Sequence, residues 1–436
     1  MSSLPGENKE INMNLRGKSM KKIKILSNIS WTFSGNIIYA LTQFMLLSVI
    51  AKIGGPAEVG IFTLSLAIVS PVFLLLNLRL RTVIVTDSND DYSFWDYENL
   101  RKFTSVIAIL IILGIVMISD YTFYIYTTIL MVSVAKLFEM KIDLYYGFFQ
   151  KKVLFDVIAK SVIMRGILNL LVVTTIYFFS ENLMWSMLGM AITNYTIYSF
   201  YDKKHIKKYI NIKKSSKKVN FVKIKMLFLL ALPLGLSTLI GSLNTNVPRY
   251  IIENKLGLYE LGIFSGLAYL LVIGNTLLNA VSQVFMPKLS QLSKKNDYDN
   301  FESLLKKMIF SGMIMSLLMI IFFSFAGELV LTIIYSKEYL EYTQVLMILV
   351  IGVSVLYSSV FLGTAITVLK EFKIQPYIHF TSLIFLTFAS LILIENYRLV
   401  GMAWALVIGY FVTSLGYFFI LKNILKRRRS INDTNM

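Results

Sequence analysis

The sequence contains no cysteine and only two histidines, His205 and His379. Without cysteine the chain has neither disulfides nor cysteine metal sites, and two isolated histidines do not form a cluster of metal ligands. We therefore expect no metal and no cofactor. The first 28 residues are polar, and nothing in them is typical of a cleavable secretory signal.

Charged residues are also scarce. They make up 16% of the chain, against about 25% in soluble domains, while apolar residues reach 56% against roughly 45–50%. The formal net charge is nevertheless +18. Its lysines lie in short stretches between apolar runs, which is typical of membrane topology and of binding to anionic lipid headgroups. We therefore expect membrane lipids, and no nucleic acid, as partners.

What the chain has in abundance is long apolar runs, such as FLLALPLGLSTLIGSL (228–243) and MIFSGMIMSLLMIIFFSFAG (308–327). About 20 apolar residues in a helix cross the hydrocarbon core of a bilayer. Continuous runs favour helices over a β-barrel, whose strands would alternate apolar with polar residues. The sequence predicts an all-α integral membrane protein with about twelve spans: 29–51, 59–80, 102–119, 121–142, 153–179, 183–201, 226–250, 260–286, 305–326, 341–369, 375–395 and 399–421.

The basic residues predict the direction of these spans, because cytoplasmic loops are enriched in Lys and Arg. One side holds most of them, including ten lysines between Lys203 and Lys225 and the KRRR stretch at 426–429. The opposite side holds only Lys52, Arg249, Lys255, Lys337 and Arg398. Both termini are therefore predicted to face the cytoplasm.

A short phrase occurs twice, as GPAEVGIF (55–62) and GLYELGIF (257–264). The offset of 202 residues also aligns Leu76-Asn77 with Leu278-Asn279, which indicates a duplication. Six spans separate the copies, so the halves have the same orientation, as in parallel repeats around an axis along the membrane normal. The first glycine of each phrase permits a turn, and the glycine five residues later permits close helix approach.

The repeat divides the chain into a cytoplasmic tail (1–28), a six-helix bundle (29–201), a basic cytoplasmic linker (202–225), a second six-helix bundle (226–421) and a basic cytoplasmic tail (422–436). Two six-helix bundles around a central cavity are typical of transporters. In such proteins, alternating access comes from rocking one half against the other.

The two equal halves, the repeated outer phrase and the segment NLRLRTVIVTDSNDDYSFWDYENLRK (77–102) together resemble polysaccharide flippases of the O-antigen type. These belong to the multidrug/oligosaccharidyl-lipid/polysaccharide exporter superfamily, and the resemblance covers roughly residues 25–425. It implies movement of an undecaprenyl-pyrophosphate-linked oligosaccharide across the bacterial cytoplasmic membrane for surface polysaccharide biosynthesis. It implies no enzymatic activity, and it makes a polysaccharide polymerase and other assembly proteins candidate partners.

Such a substrate needs positive charge for its pyrophosphate and polar groups for its sugars. Arg165 is the leading candidate, because it lies thirteen residues beyond Lys152 and hence about 20 Å into the bilayer. An arginine at that depth costs about 2.5–3.5 kcal/mol, so it should face a cavity or a partner. A structural ion pair, or snorkelling to the headgroups, is the alternative. Asp156, our candidate for ion coupling, and Lys160 are spaced to pair on the same helix.

Other candidates lie at the ends and on the faces of further spans. Arg79 and Arg81 end the second span and would meet the pyrophosphate on entry, unless they are membrane anchors. Polar residues inside a bilayer usually face the interior of the bundle, where they line a cavity or hydrogen-bond between helices. This group comprises Asn36, Gln43, Asn244 and Asn246, together with Arg249 near the outer surface and Gln283 near the cytoplasmic end of span eight.

Two other functions stay open. A cation-coupled multidrug exporter of the same superfamily would use carboxylates within the membrane, but spans one, two, seven and eight have no interior Asp or Glu. A membrane glycosyltransferase or polysaccharide polymerase would need a catalytic constellation and usually a sizeable loop outside the membrane. The predicted outer loops are too short for that.

Overall fold

The computed structural model describes residues 7–87, 89–209 and 220–434. Thirteen α-helices make up most of this part of the chain: α1 (Glu7–Asn77), α2 (Leu80–Thr86), α3 (Phe94–Met117), α4 (Phe123–Lys151), α5 (Phe155–Ser180), α6 (Leu183–Thr196), α7 (Lys203–Tyr209), α8 (Phe221–Leu256), α9 (Leu258–Leu270), α10 (Val272–Lys294), α11 (Tyr298–Ile334), α12 (Thr343–Val368) and α13 (Gln375–Thr434). A π-helical segment, Ile197–Asp202, continues α6.

The predicted all-α membrane architecture is confirmed. Among the described residues, eight helical stretches are long and apolar enough to cross a membrane. The helices α1 and α13 each contain one residue with non-helical backbone angles, Gly55 and Arg398. These breaks fall between predicted spans one and two, and between spans eleven and twelve. The number of twelve crossings stays a prediction.

The helices extend beyond several predicted boundaries. The first begins at Glu7, within the predicted tail 1–28, because no proline between Glu7 and Asn28 stops it. The helix α8 begins at Phe221, inside the predicted linker, where the side chain of Asn220 accepts a hydrogen bond from the backbone N–H of Lys223 and so caps it. Within the predicted linker and C-terminal tail, residues 210–219 and 435–436 lie outside the described part.

The repeated phrase adopts the same backbone conformation in both halves. Gly55 has φ 72° and ψ −175°, and Gly257 has φ 93° and ψ −179°. This region is essentially restricted to glycine. Each glycine therefore turns the chain where one long helix gives way to the next.

The second glycine of each phrase brings the two halves together. A Cβ on Gly60 would overlap the carbonyl oxygen of Leu258, and a Cβ on Gly262 would overlap that of Pro56. Adding 202 to 56 and to 60 gives 258 and 262, so these are two copies of one contact. The two phrases thus pack backbone to backbone across a local two-fold relation, at the predicted outer side.

A glutamate anchors each phrase to its own half. Glu58 accepts a hydrogen bond from the Tyr124 hydroxyl of α4 at 2.9 Å. Glu260, its equivalent at an offset of 202, pairs with Arg398 at 2.6 Å. The contact between the halves is therefore fixed to the remaining helices on both sides.

The helix α8 also runs along the second part of α1. The Tyr250 hydroxyl donates to the carbonyl of Ala67, and the Thr238 hydroxyl donates to the carbonyl of Leu74 at 3.1 Å. In the first half of α8, Gly235 lies against the backbone of Leu75. This seam forms one wall of the space between the halves.

Candidate functional site

A cavity of about 1170 Å³ lies between the two halves. Helices α1, α4 and α6 line it on one side, and α8, α9 and α13 line it on the other. Its polar lining residues are Tyr39, Gln43, Ser70, Arg79, Lys136, Glu139, Ser237, Thr238, Ser242, Thr245, Asn246, Arg249, Tyr269, Lys373, Gln375, Tyr377 and His379. We call this space the central cavity.

Arg249 is the cation that the second half contributes from α8. Its Nη1 donates to Asn246 Oδ1 at 3.1 Å. The Nδ2 of Asn246 in turn donates to the carbonyl oxygen of Ser242 at 2.8 Å, so the amide is held with its oxygen toward the arginine. This arrangement orients the Arg249 guanidinium in the cavity wall. Its remaining N–H groups are available to bind an anion.

The first half contributes a charge pair from α4. Lys136 Nζ lies 2.7 Å from Glu139 Oε2, and the two side chains are 30% and 18% exposed. Both residues line the central cavity. The sequence gives little sign of this pair, because a lysine and a glutamate three residues apart are common on helices.

Arg165 lies one layer behind the cavity wall. It is buried on α5, with its guanidinium 4.8 Å from the ring centroid of Tyr39. Its Nε has no hydrogen-bond partner among the described residues. Tyr39 lines the cavity and holds the guanidinium by a cation–π contact, so the positive charge lies one side chain away from the cavity.

A buried hydrogen-bonded chain continues away from Arg165. The Tyr146 hydroxyl donates to Ser161 Oγ at 2.7 Å, and Ser161 donates to Asp202 Oδ2 at 3.1 Å. Asp202, just beyond the predicted sixth span, is fully buried. Burial raises the pKa of Asp202 from its usual value of 3.8 to about 7. The titratable groups that face it are Tyr145 and Tyr146 of α4, Arg165 of α5, and Tyr198 and Tyr201 of the π-helical segment.

The two arginines at the end of the second span lie in different environments. Arg79 is exposed, has a left-handed backbone (φ 46°) and lines the central cavity. Arg81 instead donates to Gln150 Oε1 at 2.8 Å and lies 3.5 Å from Asp143. Only Arg79 is therefore free to meet a ligand in the cavity.

Arg101, which directly precedes the predicted third span, is fully buried. It donates to Asn77 Oδ1 at 2.6 Å, and Asn77 Nδ2 donates to Asp143 Oδ2 at 3.3 Å. Arg81, Arg101, Asn77 and Asp143 thus form one network at the end of the second span. This network fills the first half next to the cavity.

The remaining candidates are spread over other surfaces. Lys160 pairs with Asp156 at 3.8 Å, and both side chains are about half exposed, away from the central cavity. Asn36 and Gln283 are exposed, and they line neither the central cavity nor a second cavity within the second half of the chain. Gln43 lines the central cavity, and its Nε2 has no partner among the described residues.

A second cavity of about 450 Å³ lies within the second half. Asn244 lines it and donates from Nδ2 to the carbonyl oxygen of His379 at 3.0 Å. The two cavities share Gly241, Thr245, Gln375 and His379 in their walls, so they adjoin. We call this second space the side recess.

No group of three or more acidic or histidine side chains that could hold a metal ion occurs in the described ranges. The polar groups of both cavities instead provide hydrogen bonds, and those of the central cavity also provide positive charge. Together the two cavities can bind an anion and neutral polar groups.

Comparisons with known proteins agree with this architecture. A solved multidrug resistance transporter of the MATE family, in an inward-facing conformation, superposes with a TM-score of 0.70 at 10% identity, covering 90% of this chain and 95% of that one. The lipid II flippase MurJ, in an inward closed conformation, gives 0.68 at 16% identity, covering 89% and 87%. At these identities the two structures show a shared fold.

Sequence relatives show the family. The capsular polysaccharide biosynthesis protein CapF of Staphylococcus aureus is 36% identical over 404 residues, which is 92% of this chain and 100% of CapF. Residues 49–344 match the family described as polysaccharide biosynthesis protein. The resemblance noted in the sequence is confirmed, and the chain belongs to the polysaccharide biosynthesis protein family.

Proposed function

We propose that this multi-pass membrane protein is a flippase. Its substrate is an undecaprenyl-pyrophosphate-linked oligosaccharide repeat unit, moved across the bacterial cytoplasmic membrane for surface polysaccharide biosynthesis. The observation that carries the proposal is the cationic cavity between two halves whose outer surfaces are apolar. The name of CapF and the family that this chain matches both concern polysaccharide biosynthesis. They therefore support the same substrate class.

The pyrophosphate would bind at Arg249, with Arg79 and Lys136 adding positive charge from the first half. Arginine suits this role because its planar fork of donors matches phosphate oxygens. Arg165, behind Tyr39, would raise the positive potential of the cavity without touching the substrate. The polyprenyl tail stays in the lipid, where burying it costs nothing.

Alternating access would follow from rocking one half against the other. The contact of Gly60 and Gly262 across the halves must open for release at the outer side. Both termini would face the cytoplasm, as the distribution of basic residues indicates.

A cation-coupled multidrug exporter is the second candidate, and Glu139 is the observation that favours it. A carboxylate in the central cavity could take up a cation when the drug leaves. In this chain Glu139 is already paired with Lys136 at 2.7 Å, which favours an anionic substrate. A membrane polymerase or glycosyltransferase would need a catalytic group that we do not find among the described cavity residues.

Deletion of the gene followed by lipid extraction distinguishes these functions. Loss of a flippase should cause lipid-linked repeat units to accumulate on the cytoplasmic leaflet. Loss of an exporter should change sensitivity to toxic compounds, and loss of a polymerase should leave single repeat units on the outer leaflet.

Complementation of the deletion then tests the cavity. Arg249→Ala should reduce surface polysaccharide at least tenfold, while Arg249→Lys should retain part of it because the charge remains. Arg165→Ala should have an intermediate effect. Lys152→Ala, an exposed lysine outside the cavity, is the matched control. Full display by an Arg249→Ala variant that inserts normally would contradict the proposed site.

A further inference from the structure

The side recess has a composition unlike that of the central cavity. Its walls come from α8, α10, α12 and α13, and among the described residues they include amides and hydroxyls but no Asp, Glu, Lys or Arg. The volume of about 450 Å³ falls within the range of small-ligand pockets. A phosphate would find no cation there, and an organic cation would find no carboxylate.

Two asparagines on one face of α10 mark the recess. Asn275 and Asn279 are four residues apart, and both line it. The Oδ1 of Asn275 is buried without a hydrogen-bond partner in the described part of the chain. A buried amide oxygen without a partner is costly, so its placement at a cavity indicates a ligand that can donate a hydrogen bond.

The duplication shows that this space is specific to one half. Asn279 is the repeat equivalent of Asn77, at the offset of 202 residues. In the first half, Asn77 is held between Arg101 and Asp143. In the second half, Asn279 is exposed at the recess. In the first half, charged side chains therefore occupy this position. In the second half, the equivalent position lies at a cavity lined by neutral polar groups.

The recess lies next to the cation that would hold the pyrophosphate. Thr245 lines both cavities, and Arg249 follows it by four residues on α8. One helical turn, or about 6 Å of rise, separates them. A neutral polar group attached directly to a pyrophosphate bound at Arg249 would thus reach the recess.

We propose that the side recess is the sugar subsite, which takes uncharged sugar residues attached to the pyrophosphate. Each sugar hydroxyl both donates and accepts, which matches side-chain amides and hydroxyls. The Asn275 oxygen accepts a sugar hydroxyl, and the amides of Asn279 and Gln375 bind its neighbours. This inference rests on the proposed function and adds to it the place where the sugar is selected.

Two probes distinguish binding of the sugar from binding of the pyrophosphate. Dissociation constants are measured on the full chain in lipid nanodiscs for farnesyl pyrophosphate, which has no sugar, and for the lipid-linked oligosaccharide extracted from deletion cells. Asn275→Ala should weaken binding of the extracted lipid about three- to tenfold, as expected for one hydrogen bond. The same variant should bind farnesyl pyrophosphate like the natural protein.

Matched variants complete the experiment. Asn279→Ala, at an exposed position, repeats the test should Asn275→Ala not fold, and Asn396→Ala on the exposed surface of α13 is the control. Equal losses for both probes, or no loss for either, would overturn the sugar subsite. A change in sodium dependence in place of the sugar effect would overturn it too, since it would identify a cation site. If the natural protein binds neither probe, the proposed function itself fails.

Discussion

At the scale of single residues, the orientation of Arg249 depends on Asn246. The amide of Asn246 bonds Ser242 with its nitrogen and Arg249 with its oxygen. Asn246→Ala should therefore weaken farnesyl pyrophosphate binding about three- to tenfold, because the guanidinium loses its alignment but keeps its charge. Arg249→Ala should weaken binding further.

Titration in nanodiscs measures both constants, and Asn246→Asp provides an internal check. The added carboxylate would hold Arg249 in an ion pair and compete with the phosphate. The Asn246→Asp variant should therefore bind farnesyl pyrophosphate more weakly than the Asn246→Ala variant does. Tighter binding by Asn246→Asp would show that this amide has no positioning role.

Asp202 predicts a pH-dependent stability. Its pKa is about 7 in the folded chain and 3.8 when exposed, so the folded state keeps a proton that the unfolded state loses. The stability from this neutral carboxyl is fully present below pH 3.8 and is lost as the pH rises to 7. Between pH 5 and pH 8 the loss is about 2–3 kcal/mol.

Asp202→Asn cannot titrate, so its melting temperature relative to the natural protein should rise between pH 5 and pH 8. Thermal unfolding in detergent at both pH values measures the difference. Asn396→Ala, at an exposed position of α13 that carries no titratable group, should leave the pH dependence unchanged. An identical difference at pH 5 and pH 8 would exclude titration of Asp202 in this range.

Several residues of this cavity could be named from the sequence because polar side chains stand out within or at the ends of apolar runs, while their role in binding stays a prediction. Gln43, Arg79, Asn246 and Arg249 all line the central cavity. Counting also placed Arg165 deep in the protein, where it is buried, but the intervening Tyr39 comes from another helix. Which side chain stands between an arginine and a cavity depends on helix packing, and one sequence does not specify packing.

At the scale of helices, the repeated phrase gives a paired prediction. Gly60→Ala and Gly262→Ala should each destabilise the protein by about 1–3 kcal/mol, because a methyl group would collide with the backbone of the other half. Gly114→Ala on α3 is the matched control, since nothing lies within 4 Å of the added methyl. That change should be neutral or slightly stabilising.

Melting temperatures of the three variants test this contact. The two interface variants should behave alike, because their contacts are related by the repeat. If only one of them is destabilised, or if Gly114→Ala is affected equally, the reciprocal packing of the two phrases is wrong.

The junction between α3 and α4 lies close to its predicted position, because polar residues interrupt the apolar run there. The pair Ser119-Asp120 separated two predicted spans, and α3 and α4 end and begin on either side of it. The extensions of α1 and α8 beyond their predicted spans were not predicted, because they are polar and leave no apolar signal. Hydropathy locates the membrane-embedded part of a helix and says little about its continuation into water.

At the scale of the whole molecule, duplication gives the two halves one architecture with different interiors. The first half places charged residues at the cavity and behind it, including Lys136, Glu139 and Arg165. The second half supplies Arg249 and Lys373 to the central cavity and contains the side recess, which has no Asp, Glu, Lys or Arg among its described lining residues. The sequence indicated the duplication through a fixed offset, whereas the different interiors depend on contacts between distant helices.

The proposed function requires opening at the predicted outer side, and the chain offers a direct test of this motion. Ala57 and Tyr259 are repeat equivalents, and each is exposed beside a residue that contacts the other half. Because the natural sequence has no cysteine, Ala57→Cys with Tyr259→Cys gives two unique sites for a bismaleimide cross-linker. The cross-linked protein should bind the extracted lipid but lose at least nine-tenths of its flipping in liposomes.

Each single cysteine variant, treated with the same reagent, should retain its activity and so control for modification alone. With a cleavable cross-linker, flipping should return once the linker is cut. This result would show that the cross-link between the halves, and not inactivation of the protein, had stopped flipping. The glycine contact between the halves would then be a gate that must part in every cycle. Continued flipping by fully cross-linked protein would mean that the substrate leaves by another route, and rocking of the halves would be the wrong mechanism.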